Sequence, residues 1–244
     1  MTSANLPAPP KAKSVAAISD DRAGREWKAF YTFARTVVRL VRPLIARMRV
    51  VGAENVPTSG PVVLAINHIA WIDIPLASLA VPRVTHYMAK IELFNQPVLG
   101  GIVRWLGAFP VRRGEGDRES LRVAERLLAQ GKILSIFPEG HRSGGHLIAA
   151  HPGTSLIALR TGAPVVPVAI SGTEHVFKHF RFGPWAPRVT VSYGKPFILE
   201  SSGPRRTRDD LARNTDAIMY HIAELLPPEY RGAYALSAPG ETTA

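Results

Sequence analysis

The chain contains no cysteine. That removes a thiolate nucleophile, a disulfide framework and a Cys-ligated metal site together. Three glycine signatures are also missing. There is no Gly-x-Ser-x-Gly elbow for a nucleophilic serine, no Gly-x-x-x-x-Gly-Lys-Ser/Thr phosphate loop, and no Gly-x-Gly-x-x-Gly dinucleotide fingerprint. No apolar run approaches twenty residues, so no segment reads as a membrane-spanning helix. Negative charge is scarce: 19 acidic side chains stand against 30 Lys and Arg, a formal charge of +11. The excess points to anionic partners, either an acidic membrane surface or a phosphorylated or CoA-like substrate. No basic stretch carries aromatics at a nucleic-acid-binding spacing, so nucleic acid is not an expected partner. No secretory signal is visible at the polar, Pro/Ala-rich start, and the lack of cysteine is compatible with a reducing compartment.

What is present begins with size: 244 residues, 46% apolar, suit one domain with a sizeable core. The patterning predicts a loose tail over 1–24, an amphipathic basic helical segment over 25–51, a main domain over 52–232 and a loose tail over 233–244. In the helical segment Lys28, Arg35, Arg39, Arg42 and Arg49 recur along one stripe opposite aromatic and aliphatic residues. That is the pattern of a helix lying in a membrane interface, with these five residues as the membrane contact. Packing against its own domain with a solvated basic face is the plainer reading. Pro43 is expected to kink or break the helix.

From residue 62 onward short apolar strands alternate with helices. Strands are expected at 62–66, 84–89, 108–111, 133–137, 165–170 and 189–193. Helices are expected at 74–79, 96–106, 118–130, 154–161 and 208–226. Gly131 should stop the third helix of this set, and Thr207 with Asp210 stands at capping-box spacing before the last. The alternation predicts an α/β fold with a mixed, largely parallel sheet flanked by helices. Ligands of such folds sit beyond the carboxyl ends of the strands.

One segment stands at such an end. Asn67-His68-Ile69-Ala70-Trp71-Ile72-Asp73 follows the apolar run at 62–66. On a regular helix five positions carry a side chain roughly 140° out of register. His68 and Asp73 therefore meet only if His68 lies in the turn and Asp73 begins the next helix, where Asp is a favoured N-cap and Pro75 is tolerated. A carboxylate on one ring nitrogen fixes the tautomer and frees the other to take a proton from a hydroxyl. Read alone, the segment also admits a plain helix cap and a loop histidine. Without an evident protein nucleophile, such a dyad suggests direct transfer to a substrate hydroxyl.

Three other segments follow strands. Phe137-Pro138-Glu139-Gly140-His141-Arg142-Ser143 should turn Glu139 and Arg142 toward the same sheet edge, where Arg142 suits an anionic group. A solvated Glu/Arg pair in a turn is the alternative. Gly107-Ala108-Phe109-Pro110-Val111-Arg112-Arg113 ends with two guanidiniums, a candidate phosphate clamp of which one reaches the site, since neighbours in extended chain face opposite ways. Val166-Pro167-Val168 lies in a strand that either walls an acyl pocket or is plain core. His141, His146 and His151 share no helix face and are split by Gly144-Gly145, which speaks against a metal site.

Together, in this order, the four segments resemble the glycerolipid acyltransferase family, in particular the bacterial 1-acyl-glycerol-3-phosphate acyltransferases. The family's Asn-His-x-x-x-x-Asp block is met by Asn67, His68 and Asp73. Gly107 and Arg113 look like its second block, with Arg112 where the family often has Asp. Phe137 to Ser143 match the third block, Phe-Pro-Glu-Gly-Thr-Arg-Ser, with His141 in place of Thr. Val166, Pro167 and Val168 match the fourth. The resemblance runs over residues 52–198.

It implies acyl transfer from acyl-CoA or acyl-carrier protein to the free hydroxyl of lysophosphatidate, giving phosphatidic acid at the cytoplasmic face of the membrane. It implies no cofactor and no metal. His68 and Asp73 would be catalytic. Arg113, Arg112, Glu139, Gly140 and Arg142 would hold the acceptor, with Glu139 orienting an Arg or the glycerol hydroxyls. Three alternatives remain: another lysolipid acceptor, a non-catalytic protein that binds anionic membrane or nucleic acid through its basic surface, and a hydrolase in which His68 activates water.

Overall fold

The computed structural model describes residues 21–111, 118–176, 178, 183–203 and 206–235; within helices the side chains of residues 21–28, 30, 79 and 105 are not described. Seven strands form one sheet: β1 (Arg47–Val51), β2 (Val62–Ile66), β3 (Thr85–Lys90), β4 (Ala108–Val111), β5 (Ile133–Ile136), β6 (Val165–Ser171) and β7 (Arg188–Tyr193). Their spatial order is β1-β7-β6-β2-β5-β3-β4. Every pairing is parallel except β6 with β7. The helices are α1 (Asp21–Ile45), α2 (Asp73–Ala80), α3 (Ile91–Phe94), α4 (Leu99–Trp105), α5 (Arg118–Ala129), α6 (Gly153–Thr161) and α7 (Arg208–Leu225).

The central strand shows why an unbroken apolar run was needed. β2 is covered on both faces, so all five of its residues are buried. Val63 and Ala65 join the core under α5, α6 and α7, while Val62, Leu64 and Ile66 join the core under α2, with Val38 and Ile45 of α1 packed against it. Val166 and Val168 of β6 are fully buried in that second core. They are core residues and do not line an open acyl pocket.

Local signals set several boundaries. α5 buries Val123, Ala124, Leu127 and Leu128. It stops at Gly131 (φ +70°), with Gly131 N–H donating to Leu128 O at 2.8 Å and Lys132 N–H to Leu127 O at 3.0 Å, the paired bonds of a Schellman motif. Thr207 and Asp210 form the expected capping box on α7.

The N-terminal segment departs from expectation. The helix begins at Asp21, runs through Pro43 and ends at Ile45; residues 47–51 are edge strand β1, paired in parallel with β7. Strand pairing along Arg47–Val51 outweighs the helical spacing of its side chains. The basic stripe is also divided. Arg35 and Arg42 are half-buried toward the domain, and Arg35 Nη1 donates to Pro82 O at 3.3 Å. Arg39 and Arg49 are exposed, and the Lys28 side chain lies outside the described residues. The outward face of α1 is apolar instead: Phe33, Val37, Leu40, Val41 and Leu44 are all exposed. The inward face must bury Tyr31 and pack Val38 and Ile45 on the core, which turns the other apolar residues outward. Among the described residues no helix is long and apolar enough to cross a membrane.

At the other end, Tyr234 is buried and lies in a short 3-10 turn, so residues 233–235 belong to the fold rather than to a tail. Of the tail expected over 1–24, residues 21–24 lie in α1, and the remainder of the two expected tails, 1–20 and 236–244, lies outside the described residues.

Candidate active site

β2 delivers the site, because the chain leaves the sheet directly after Ile66. Asn67 is the last residue held by the sheet. Its side-chain amide donates to Ile170 O at 2.9 Å and accepts the Ile170 N–H at 2.7 Å. The side chain thus imitates one more peptide rung between β2 and β6. Asn67 is 2% exposed and belongs to the scaffold, not to a substrate surface.

His68 then stands outside the ladder, with its backbone gripped from the third block. Its N–H donates to Glu139 Oε2 at 2.7 Å. Its carbonyl accepts Ser143 N–H at 2.7 Å and Ser143 Oγ–H at 3.1 Å. Its ring stacks on Phe137, with centroids 4.2 Å apart. The loop after β5 therefore fixes the histidine through main chain and ring, leaving the imidazole edges for chemistry.

His68 Nδ1 lies 2.9 Å from Asp73 Oδ2. That oxygen also accepts the N–H groups of Ile69 (2.7 Å) and Ala70 (2.8 Å). Asp73 is the first residue of α2, with Ile72 at the cap position, so it does not cap its own helix as expected. It caps the turn before it, because the chain folds back over its carboxylate. Oδ1 of this fully buried side chain has no hydrogen-bond partner among the described residues. With Nδ1–H directed at Asp73, the Nε2 lone pair is set to accept a proton.

Glu139 is displaced from its expected role. It is fully buried, and its oxygens accept two main-chain donors, His68 N–H on Oε2 and Ile148 N–H at 3.2 Å on Oε1. Among the described residues it pairs with no arginine, and at 0% exposure it presents no open surface to a glycerol hydroxyl. Burial pushes its carboxyl up to about 7; the two N–H donors oppose the rise and the Asp73 carboxylate adds to it. Pro138 is buried beside it. Gly140 closes the turn at φ +69°, where a Cβ would meet the His151 ring at 2.8 Å, so its role is conformational. Arg142 is exposed at this edge, one residue before the serine that binds His68. Gly107 takes φ +84° where the chain enters β4. Arg112 and Arg113 lie outside the described residues.

The sequence reading missed the parts that act through main chain. Ile148 contributes an N–H, which any residue but proline supplies, so nothing in its side chain marks it. Asn67 carried a usable signal: an amide directly after a buried strand is the side chain able to extend the ladder.

Known proteins place this geometry. Residues 47–171, about half of the chain, match the Acyltransferase family model. The 1-acyl-sn-glycerol-3-phosphate acyltransferase of Bacillus subtilis (strain 168) is 29% identical over 196 residues, covering 80% of this chain and 96% of that protein. The lyso-ornithine lipid O-acyltransferase of Pseudomonas aeruginosa is 35% identical over 141 residues, 54% of each. The crystal structure of the 1-acyl-sn-glycerophosphate (LPA) acyltransferase from Thermotoga maritima superposes with a TM-score of 0.60 at 25% identity, covering 85% of this chain and 84% of that one. A largely parallel sheet that sets a His-x-x-x-x-Asp pair beyond its central strand, in a chain so related, identifies a member of the acyltransferase family.

Proposed function

We propose that the chain transfers a fatty acyl group from an acyl thioester, acyl-CoA or acyl-carrier protein, to the free hydroxyl of 1-acyl-glycerol-3-phosphate, giving phosphatidic acid for phospholipid synthesis. The observation that carries the chemistry is the His68 Nδ1–Asp73 Oδ2 contact at 2.9 Å, which leaves Nε2 for the acceptor. Likeness to the Bacillus and Thermotoga proteins supports the choice of acceptor.

In this mechanism Nε2 removes the hydroxyl proton as the oxygen attacks the thioester carbonyl, an aid typically worth ~10²–10⁴ in rate. The tetrahedral intermediate collapses with cleavage of the C–S bond, and the imidazolium returns the proton to the leaving thiolate. Asp73 stabilises the imidazolium between these steps. The base and the two substrates suffice without a metal or cofactor. Arg142, together with Arg113 and its neighbour Arg112, supplies the charge for the acceptor phosphate.

The membrane contact is the outward face of α1. Phe33, Val37, Leu40, Val41 and Leu44 enter the interface while Arg39 and the net charge of +11 favour an anionic surface. The chain would then act peripherally at the cytoplasmic face, with 21–45 as the membrane-facing helix and 47–235 as the catalytic domain.

Product analysis tests the acceptor. Given acyl-CoA with either lysophosphatidate or a lyso-ornithine lipid, the protein is expected to form phosphatidic acid, and Arg142→Ala to raise KM for lysophosphatidate. Acylation of the ornithine lipid alone would move the assignment to that acceptor.

A further inference from the structure

The residues after α7 turn back onto the loop that supports Glu139. Two 3-10 turns follow the helix, Pro228–Tyr230 and Gly232–Tyr234. Between them they grip Leu147 from both sides: Leu147 N–H donates to Tyr230 O at 2.8 Å, and Ala233 N–H donates to Leu147 O at 3.1 Å. Gly232, at φ +48°, passes so close that a Cβ would stand 2.2 Å from the Leu147 carbonyl oxygen. Glycine is required there by the contact as well as by the backbone. The turns are themselves anchored. Tyr234 is buried edge-on to Tyr220 of α7, with centroids 5.4 Å apart, and the Tyr230 phenol hydrogen-bonds the Glu174 carboxylate after β6.

The residue following the gripped one is Ile148, whose N–H donates to Glu139 Oε1, and the other oxygen of Glu139 holds His68 N–H. From the turns to the base the path is Leu147, Ile148, Glu139, His68: hydrogen bonds joined by one peptide unit.

We infer that residues 228–235 form a C-terminal hook that positions the acyl-transfer site: by holding Leu147 it aims the Ile148 N–H at Glu139, and so sets where that carboxylate holds His68. This rests on the reading of His68 as the base. Were the hook only a cover for the core, its loss would lower stability and leave His68 where it is. Tyr230 and Tyr234 also pack on the core that holds Leu147, but the grip itself runs through backbone atoms adjacent to the Glu139 donor, which covering the core does not require.

The test compares two strained glycines in the full-length protein. Gly232→Ala forces a Cβ against Leu147 O; Gly52→Ala is the matched control, since at φ +71° its Cβ would meet Tyr193 O at the same 2.2 Å, away from Glu139. Melting temperature, the imidazole NMR resonances of His68, and kcat and KM with lysophosphatidate are read for each. The hook predicts that Gly232→Ala moves the His68 resonances and lowers kcat by ~10- to 100-fold, with KM within about threefold. Gly52→Ala should lower the melting temperature while His68 and kcat stay within about twofold of wild type. Unmoved His68 resonances in folded Gly232→Ala, or equal shifts in both variants, overturn the hook. If Gly232→Ala does not fold, Ala233→Pro, which removes the donor to Leu147 O and sets the proline ring against that oxygen, carries the same expectation. Wild type inactive on lysophosphatidate would sink the acceptor reading, whereas the His68 resonances would still decide the hook.

Discussion

Glu139→Gln separates the structural role of this carboxylate from its role in catalysis. The glutamine carbonyl can accept one of the two N–H groups, but its NH2 then faces the other, donor against donor. Leaving a buried donor unsatisfied costs about 1–3 kcal/mol. Against this stands the cost of the charge itself. The folded carboxyl titrates near 7 instead of 4.5, so between those values the folded state binds more proton than the unfolded chain and stability falls as pH rises. At 1.36 kcal/mol per unit, the fall amounts to about 3 kcal/mol, complete above pH 7.

The groups facing Glu139 are His68, Asp73, Ile148 N–H and the Tyr234 phenol, and all are kept in the variant. His86, pushed down to about 4 by burial, gives the opposite slope between about 4 and 6.5, but it is common to both proteins and cancels in their difference. Urea unfolding should therefore find Glu139→Gln less stable than wild type at pH 5, with the gap closing by about 3 kcal/mol at pH 8. The kcat should behave otherwise: at pH 8, where stability is nearly matched, it should still be down by about 10²-fold, because His68 has lost the anion that holds its N–H. A gap that does not change with pH would refute the titration, and a kcat within twofold of wild type would refute the positioning role.

Other consequences are more direct. Asn67→Ala strips both bonds to Ile170, leaving a buried N–H and C=O, and should cost about 2–4 kcal/mol in urea unfolding; a loss under 1 kcal/mol would mean the amide is not a rung of the sheet. Leu40→Glu together with Leu44→Glu places charge on the exposed face of α1 and should abolish co-sedimentation with anionic vesicles without moving the melting temperature; undiminished binding would remove α1 as the contact. Asp73→Asn strips the charge beneath His68 and should lower kcat by about 10³- to 10⁴-fold with KM largely kept; activity within tenfold would make Asp73 a turn cap only.

Much of this was legible because the signals were local. Apolar runs marked β2, β5 (interrupted only by Ser135) and β6, since strands covered on both faces need them, and Gly131 and the Thr207/Asp210 pair marked helix ends. The five-residue spacing of His68 and Asp73 required a turn, and the structure supplies one. The misreadings share a cause as well. Residues 47–51 continue the helical spacing of α1, but pairing with β7 is non-local and overrides it. The inward rotation of Arg35 and Arg42 depends on which face of α1 the domain covers, and a helical wheel cannot say that. Glu139 looked like a site carboxylate because its partners are main-chain N–H groups of His68 and Ile148, which carry no residue identity.

Everything in the mechanism turns on His68 as the base for acyl transfer to a lysolipid hydroxyl. Thiol release from acyl-CoA, or from acyl-carrier protein, measured with lysophosphatidate added and withheld, tests it in wild type and His68→Ala. Release should require the acceptor and fall by at least ~10²-fold in the variant. Release that needs no acceptor would indicate a hydrolase, and acceptor-dependent release undiminished in His68→Ala would contradict the mechanism.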